Sequence, residues 1–162
     1  MIKTIFYFHG FASSSQSDKA KLFKKYISSK RNIEILVPDL NNNFENAVNE
    51  INNLINSNIK PMAFVGSSLG GYYAAYFSSL HKTKAILINP AIPPLSGFDV
   101  YLGENENYST GEKFNITKAD INFIRSISYK KYPNKENTLV FLESGGEVLN
   151  YIETYAYFMG ST

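Results

Sequence analysis

Cysteine is absent from the 162 residues, so neither a disulfide framework nor a thiolate nucleophile or thiolate metal site can be built. Redox chemistry therefore leaves the compartment open. Long hydrophobic runs are missing as well. The N-terminal apolar stretch, residues 5–8, is far too short for a signal-peptide core, and nothing approaches the roughly 18 apolar residues of a membrane span. These absences point to a cytoplasmic protein with no membrane partner. An excess of one charge is lacking too: sixteen basic and fourteen acidic residues leave a formal +2. The lysines are scattered rather than gathered into a stripe that could track phosphates, which argues against nucleic acid as a partner.

What is present suits one compact unit. At 44% hydrophobic, a chain of this length buries a real core, and residues 1–162 are read as a single domain. Apolar runs of strand length alternate with amphipathic stretches: strands at residues 2–8, 33–37, 62–65, 85–88 and 138–142, and helices beginning at Asp18, Phe44, Leu69, Thr117 and Tyr151. Thr117 can cap its helix with Asp120 three residues on. Between them, residues 91–115 dissolve into Pro, Gly, Asn and Ser, and the expectation is an irregular, lid-like insertion. Strand–helix alternation implies a parallel sheet with helices on both faces, and ligands then sit beyond the carboxyl ends of the strands. His9, Gly10 and Phe11, then Asp39, then Ser67 and Ser68, then Asn89, and finally residues 144–147 all fall at such ends.

Gly66-Ser67-Ser68-Leu69-Gly70 matches G-x-S-x-G between a predicted strand and a predicted helix. Glycines permit a turn tight enough to strain the serine backbone and lift its hydroxyl above the sheet, which makes Ser68 the candidate nucleophile. The Leu69 N–H, at the positive end of the helix, can hold an oxyanion. A second donor is expected from the loop after strand one, and Phe11 N–H is the candidate. The plain alternative is a glycine-rich turn capped by a serine, with His9 a hydrogen-bonded turn residue. A nucleotide-binding reading fails on glycine spacing, since neither a Rossmann fingerprint nor a P-loop is present.

Six segments occur in one order: FHGFASSS, PDL, FVGSSLGGYYA, INPAIPP, YLGENENYSTGE and GEVLNY. Together they resemble the YqiA-type family of small bacterial esterases of the α/β-hydrolase superfamily, over nearly the whole chain. The resemblance implies an α/β fold, a three-layer α/β-hydrolase core with sheet order 2-1-3-4-5. It also implies hydrolysis of short-chain acyl esters, small molecules, without cofactor or metal. Ser68 is then the nucleophile, aided by an aspartate after the later strand and a histidine near the C-terminus. Two departures stand against it. Gly146 occupies the position of the acid in Gly145-Gly146-Glu147-Val148-Leu149, and the residues end before the family's last strand, histidine-bearing loop and final helix. The expectation is therefore a hydrolase fold with impaired activity, or a non-catalytic binding or scaffold protein, with an open sheet edge that invites homodimerisation. His81 cannot be the base, since it lies roughly 20 Å along the following helix; His9, on a strand expected beside that of Ser68, is expected to line the site with Gly10, Ser67 and Glu147, with general base as its alternative role.

Overall fold

The computed structural model describes residues 1–29, 32–92, 97–143 and 151–159. Strand β1 (Thr4–Phe8) lies inside the sheet with a neighbour on each side, and its period of two divides its side chains between the faces. Phe6 and Phe8 join Phe64 in the larger core, whereas Tyr7 and Val65 pack with Ala20 on the opposite face. Helix α1 (Asp18–Ser28) supplies Ala20, and the Ser17 side chain caps it by accepting from Ala20 N–H.

Strand β2 (Glu34–Leu36) pairs parallel with β1, and β3 (Met62–Ser67) pairs parallel on its other side, so that Phe8 lies opposite Gly66. Helix α2 (Phe44–Asn56) connects them; Asn43 caps it, and Phe44, Ala47, Ile51 and Ile55 recur at helical spacing on its buried face. Helix α3 (Leu69–His81) follows β3 and is buried along most of its surface. Strand β4 (Lys84–Ile88) then brings Ile88 opposite Ser67.

The lid segment departs from expectation. Residues 91–115 are not irregular throughout: a short 3₁₀ turn (Phe98–Tyr101) leads into an antiparallel hairpin of β5 (Gly103–Glu106) and β6 (Lys113–Ile116). Glycines at φ 97° and 73°, Gly103 and Gly111, allow its turns. Helix α4 (Lys118–Ser126) starts at a capping box in which Thr117 and Asp120 satisfy each other's backbone N–H groups. It is docked by Tyr72, whose hydroxyl donates to Ile124 C=O at 2.7 Å.

Strand β7 (Thr138–Phe141) is the fifth described strand of the parallel sheet, in the order β2-β1-β3-β4-β7. This is the predicted 2-1-3-4-5 arrangement, renumbered by the hairpin. The last described element is α5 (Tyr151–Met159). No partner strand lies on the outer side of β7 among the described residues, and Leu139 and Phe141 are 53% and 54% exposed. An apolar groove of about 460 Å³, lined by Leu139, Val140, Tyr155 and Phe158 among others, runs beside it. No helix among the described residues is long and apolar enough to cross a membrane.

Candidate active site

Ser68 occupies the single residue between β3 and α3, with φ 54° and ψ −121°. A non-glycine residue there is strained by about 1–3 kcal/mol, so the surroundings must hold it. They do so through the backbone: Ser68 N–H donates to Ile88 C=O at 3.0 Å, and Ser68 C=O accepts from Ala91 N–H at 3.0 Å and from Tyr72 N–H at 3.2 Å. The turn closes only because side chains are missing around it. A Cβ on Gly66 would run into the Gly70 carbonyl, and one on Gly70 into the Phe8 and His9 carbonyls. The Ser68 hydroxyl does not cap α3 and has no hydrogen-bond partner among the described residues.

The loop after β1 passes directly beside this serine. A Cβ on Gly10 would sit 3.4 Å from Ser68 Cβ and 3.9 Å from its Oγ, so the Gly10 backbone faces the hydroxyl. Neither Phe11 N–H nor Leu69 N–H donates a hydrogen bond among the described residues. Leu69 follows the serine directly, and Phe11 follows Gly10 in the loop beside it. Ser67 is buried at the end of β3.

His9 is placed otherwise than a general base requires. The residue is 5% exposed, with Nδ1 2.9 Å from Gly10 C=O and Nε2 accepting the Leu40 N–H at 3.0 Å. That pair of contacts fixes the tautomer with the proton on Nδ1. Burial pushes its pKa below the ordinary 6.5, against smaller opposing effects of the Gly10 bond and of Asp39. Its basic lone pair is already occupied, and the ring acts as a spacer joining the loops after β1 and β2. His81, the last residue of α3, lies 6.4 Å from the Phe64 ring, at the other end of the helix from Ser68. Gly146 and Glu147 lie outside the described residues.

Sequence reasoning missed what holds the loop carrying Phe11. Its ring meets Phe98, Tyr101 and Phe114 at 5.7, 4.6 and 5.6 Å between centroids, and Phe44 at 6.2 Å. Three of these four partners come from the lid segment. Asn107, 4% exposed, fastens the hairpin turn to the same loop: its Nδ2 donates to Ser13 C=O at 3.0 Å, and its Oδ1 accepts from Ser109 and Thr110 N–H. Tyr108 N–H also donates to Ala12 C=O at 2.8 Å, where Ala12 has φ 51°. A signal existed, because Asn107 closes the YLGENEN segment and aromatics recur in an otherwise polar stretch. On the other side of Ser68, Asn89 and Glu143 bond reciprocally, Nδ2 to Oε2 at 3.1 Å and N–H to Oδ1 at 2.7 Å, clamping the ends of β4 and β7.

Solved structures share this fold across wide sequence distance. The ferulic-acid complex of Est1E from Butyrivibrio proteoclasticus is 13% identical, with 95% of this chain and 74% of that chain covered and a TM-score of 0.70. Mouse alpha/beta hydrolase domain-containing protein 10 is 14% identical, with 93% and 72% covered and a TM-score of 0.72. The ydeN gene product of B. subtilis is 10% identical, with 98% and 82% covered and a TM-score of 0.62. The fold is therefore that of the α/β-hydrolases. A model of the family described as "Uncharacterised protein family (UPF0227)" matches residues 4–161, and the chain accordingly belongs to this YqiA-like family.

Proposed function

We propose that the chain is built as a serine carboxylesterase acting on small-molecule esters in the cytoplasm, with Ser68 as nucleophile and the Phe11 and Leu69 N–H groups as oxyanion donors. What carries the reading is the strained turn at Ser68, φ 54°, with an unpartnered hydroxyl that the Gly10 backbone faces; the N–H groups of the next residue, Leu69, and of Phe11 in the adjoining loop are unengaged among the described residues. Strain at a ligand-facing turn supports function because only surrounding structure can maintain it. In the reaction, Ser68 Oγ bonds to the ester carbonyl carbon, and the carbonyl oxygen takes the charge between the two N–H groups. The bond to the alcohol then breaks, and the alcohol leaves with the proton the serine gave up. Water cleaves the acyl-serine, returning the acid and the free hydroxyl. The sequence needs no cofactor or metal.

The proton transfer is where the 162 residues fall short. A serine hydroxyl is a weak nucleophile without an adjacent base, and the two imidazoles are bonded away or remote. Turnover by this chain is expected to lie at least about 10³-fold below that of an intact triad enzyme, as for triad deletions. The same observation favours a second reading, a non-catalytic binding protein on a hydrolase fold. A fluorophosphonate probe and a p-nitrophenyl ester series on the wild type and Ser68→Ala separate the two. Labelling and slow turnover that vanish in Ser68→Ala support the esterase; identical behaviour of both proteins refutes the nucleophile. Turnover at the rate of an intact triad enzyme would overturn the impairment.

A further inference from the structure

A second cavity, of about 340 Å³, opens between the loop after β1, the loop after β2 and the β5–β6 hairpin. Its lining contains no lysine or arginine but three carboxylates, Asp39, Glu50 and Glu112, together with side-chain amides that include Asn41, Asn42 and Asn107. The walls are built rather than loose. Glu50 accepts from Asn41 N–H at 3.1 Å, Glu112 accepts from Asn42 Nδ2 at 3.2 Å, and Asp39 Oδ1 accepts from Ser15 N–H at 2.6 Å. After those bonds, Asp39 Oδ2 and Glu112 Oε1 have no partner among the described residues. The cavity offers carboxylate acceptors together with amide and hydroxyl groups that both donate and accept, and no cationic side chain.

Ser68 lines neither this cavity nor the narrow pocket next to it, but Gly10 and Leu69, which flank the serine, line the latter. The narrow pocket shares Leu40, Asn41 and Asn42 with this cavity and is lined by Phe11 and Leu69, the two oxyanion candidates. Tyr73 lines that narrow pocket too. The residue is 1% exposed, its hydroxyl has no hydrogen-bond partner, and the Glu50 carboxylate acts on it across the boundary between the two spaces. A buried hydroxyl without a partner is costly, and a ligand or water that bonds it removes the cost.

We propose that this cleft binds the alcohol part of the ester as a neutral polyhydroxylated group, a sugar or polyol, and so sets the substrate class of the Ser68 site. The inference rests on the esterase reading for its place in the reaction, though not for the binding itself. Spread acceptors and donors demand a ligand that carries both at several points, which hydroxyl groups supply. A compact cation would need them to converge, and no group of three or more acidic or histidine side chains among the described residues is arranged to hold an ion. Anionic alcohols meet three carboxylates and are repelled. Alkyl chains would leave the bonded walls desolvated without partners.

The experiment titrates methyl α-D-glucopyranoside and myo-inositol into the Ser68→Ala protein and follows the side-chain amide resonances of Asn41, Asn42 and Asn107 by NMR. Saturable shifts confined to these amides are expected for the polyols, with none for choline or butyrate. Asn41→Ala and Glu50→Gln, both at exposed positions, should each weaken polyol binding by about tenfold while leaving the rest of the spectrum in place. Absence of saturation, shifts elsewhere, or stronger response to choline would overturn the proposal. Since the serine is already gone, polyol binding is independent of the nucleophile: binding without fluorophosphonate labelling of the wild type sinks the esterase reading alone, and labelling without binding sinks this one alone.

Discussion

The two sides of the parallel sheet are built to different standards. At β1 and β3, Phe6, Phe8 and Phe64 are fully buried and the turn at Ser68 is enclosed by backbone on three sides. At β7, side chains of the same apolar kind, Leu139 and Phe141, are more than half exposed beside an open groove. Close packing around the serine leaves no room for adjustment, so single atoms matter there. The edge strand carries apolar surface whose burial is incomplete, so substitutions there act on association more than on folding.

The sharpest way to break this contrast is Gly70→Ala. Its new Cβ would collide with the Phe8 and His9 carbonyls, which are backbone and cannot swing aside. A loss of about 3 kcal/mol or more is expected, read as a large fall in unfolding midpoint, whereas Leu139→Ala should cost under about 1 kcal/mol. Equal losses at the two positions would erase the distinction.

His9 gives a smaller effect with a defined sign. Burial lowers its folded pKa beneath 6.5, so the unfolded chain binds the proton more readily. The stability it contributes is full above pH 6.5 and is lost as pH falls through the folded value. Denaturant midpoints measured between pH 7.5 and pH 5 should therefore drop more in the wild type than in His9→Gln. Parallel curves would mean that the imidazole is not held neutral.

Smallest in stability is Phe141→Lys, expected within about 0.5 kcal/mol of the wild type. Its effect should appear in self-association. If the outer edge of β7, open among the described residues, pairs two copies, light scattering across a dilution series will show a dimer in the wild type and less of it in the variant. A monomer at all concentrations in both proteins would remove the homodimer.

Local features of the chain made most of the fold and the place of the Ser68 turn legible. G-x-S-x-G between a strand and a helix, the Thr117–Asp120 capping box and the 3.6-residue spacing of α2 each lie within one short window, and each forms where it was expected. The hairpin was hidden because β5 and β6 have four residues each with little apolar alternation, and their docking depends on Phe98, Tyr101 and Phe114 meeting Phe11 from far along the chain. The engagement of His9 was equally invisible, since Leu40 lies 31 residues away. Periodicity reports which face is buried, not which distant group arrives to occupy a lone pair.

The position of β7 in the chain also sets an order of assembly. Four neighbouring strands of the parallel sheet are complete by Ile88, so a growing chain can join them before the remainder has been synthesised. The fifth must wait until the lid hairpin and α4 have been made, and it closes a long loop when it pairs with β4. Paired on one side only among the described residues, with the Asn89–Glu143 clamp at its end, β7 is the last of these five strands to join the nascent sheet, which makes the clamp the latch between it and β4.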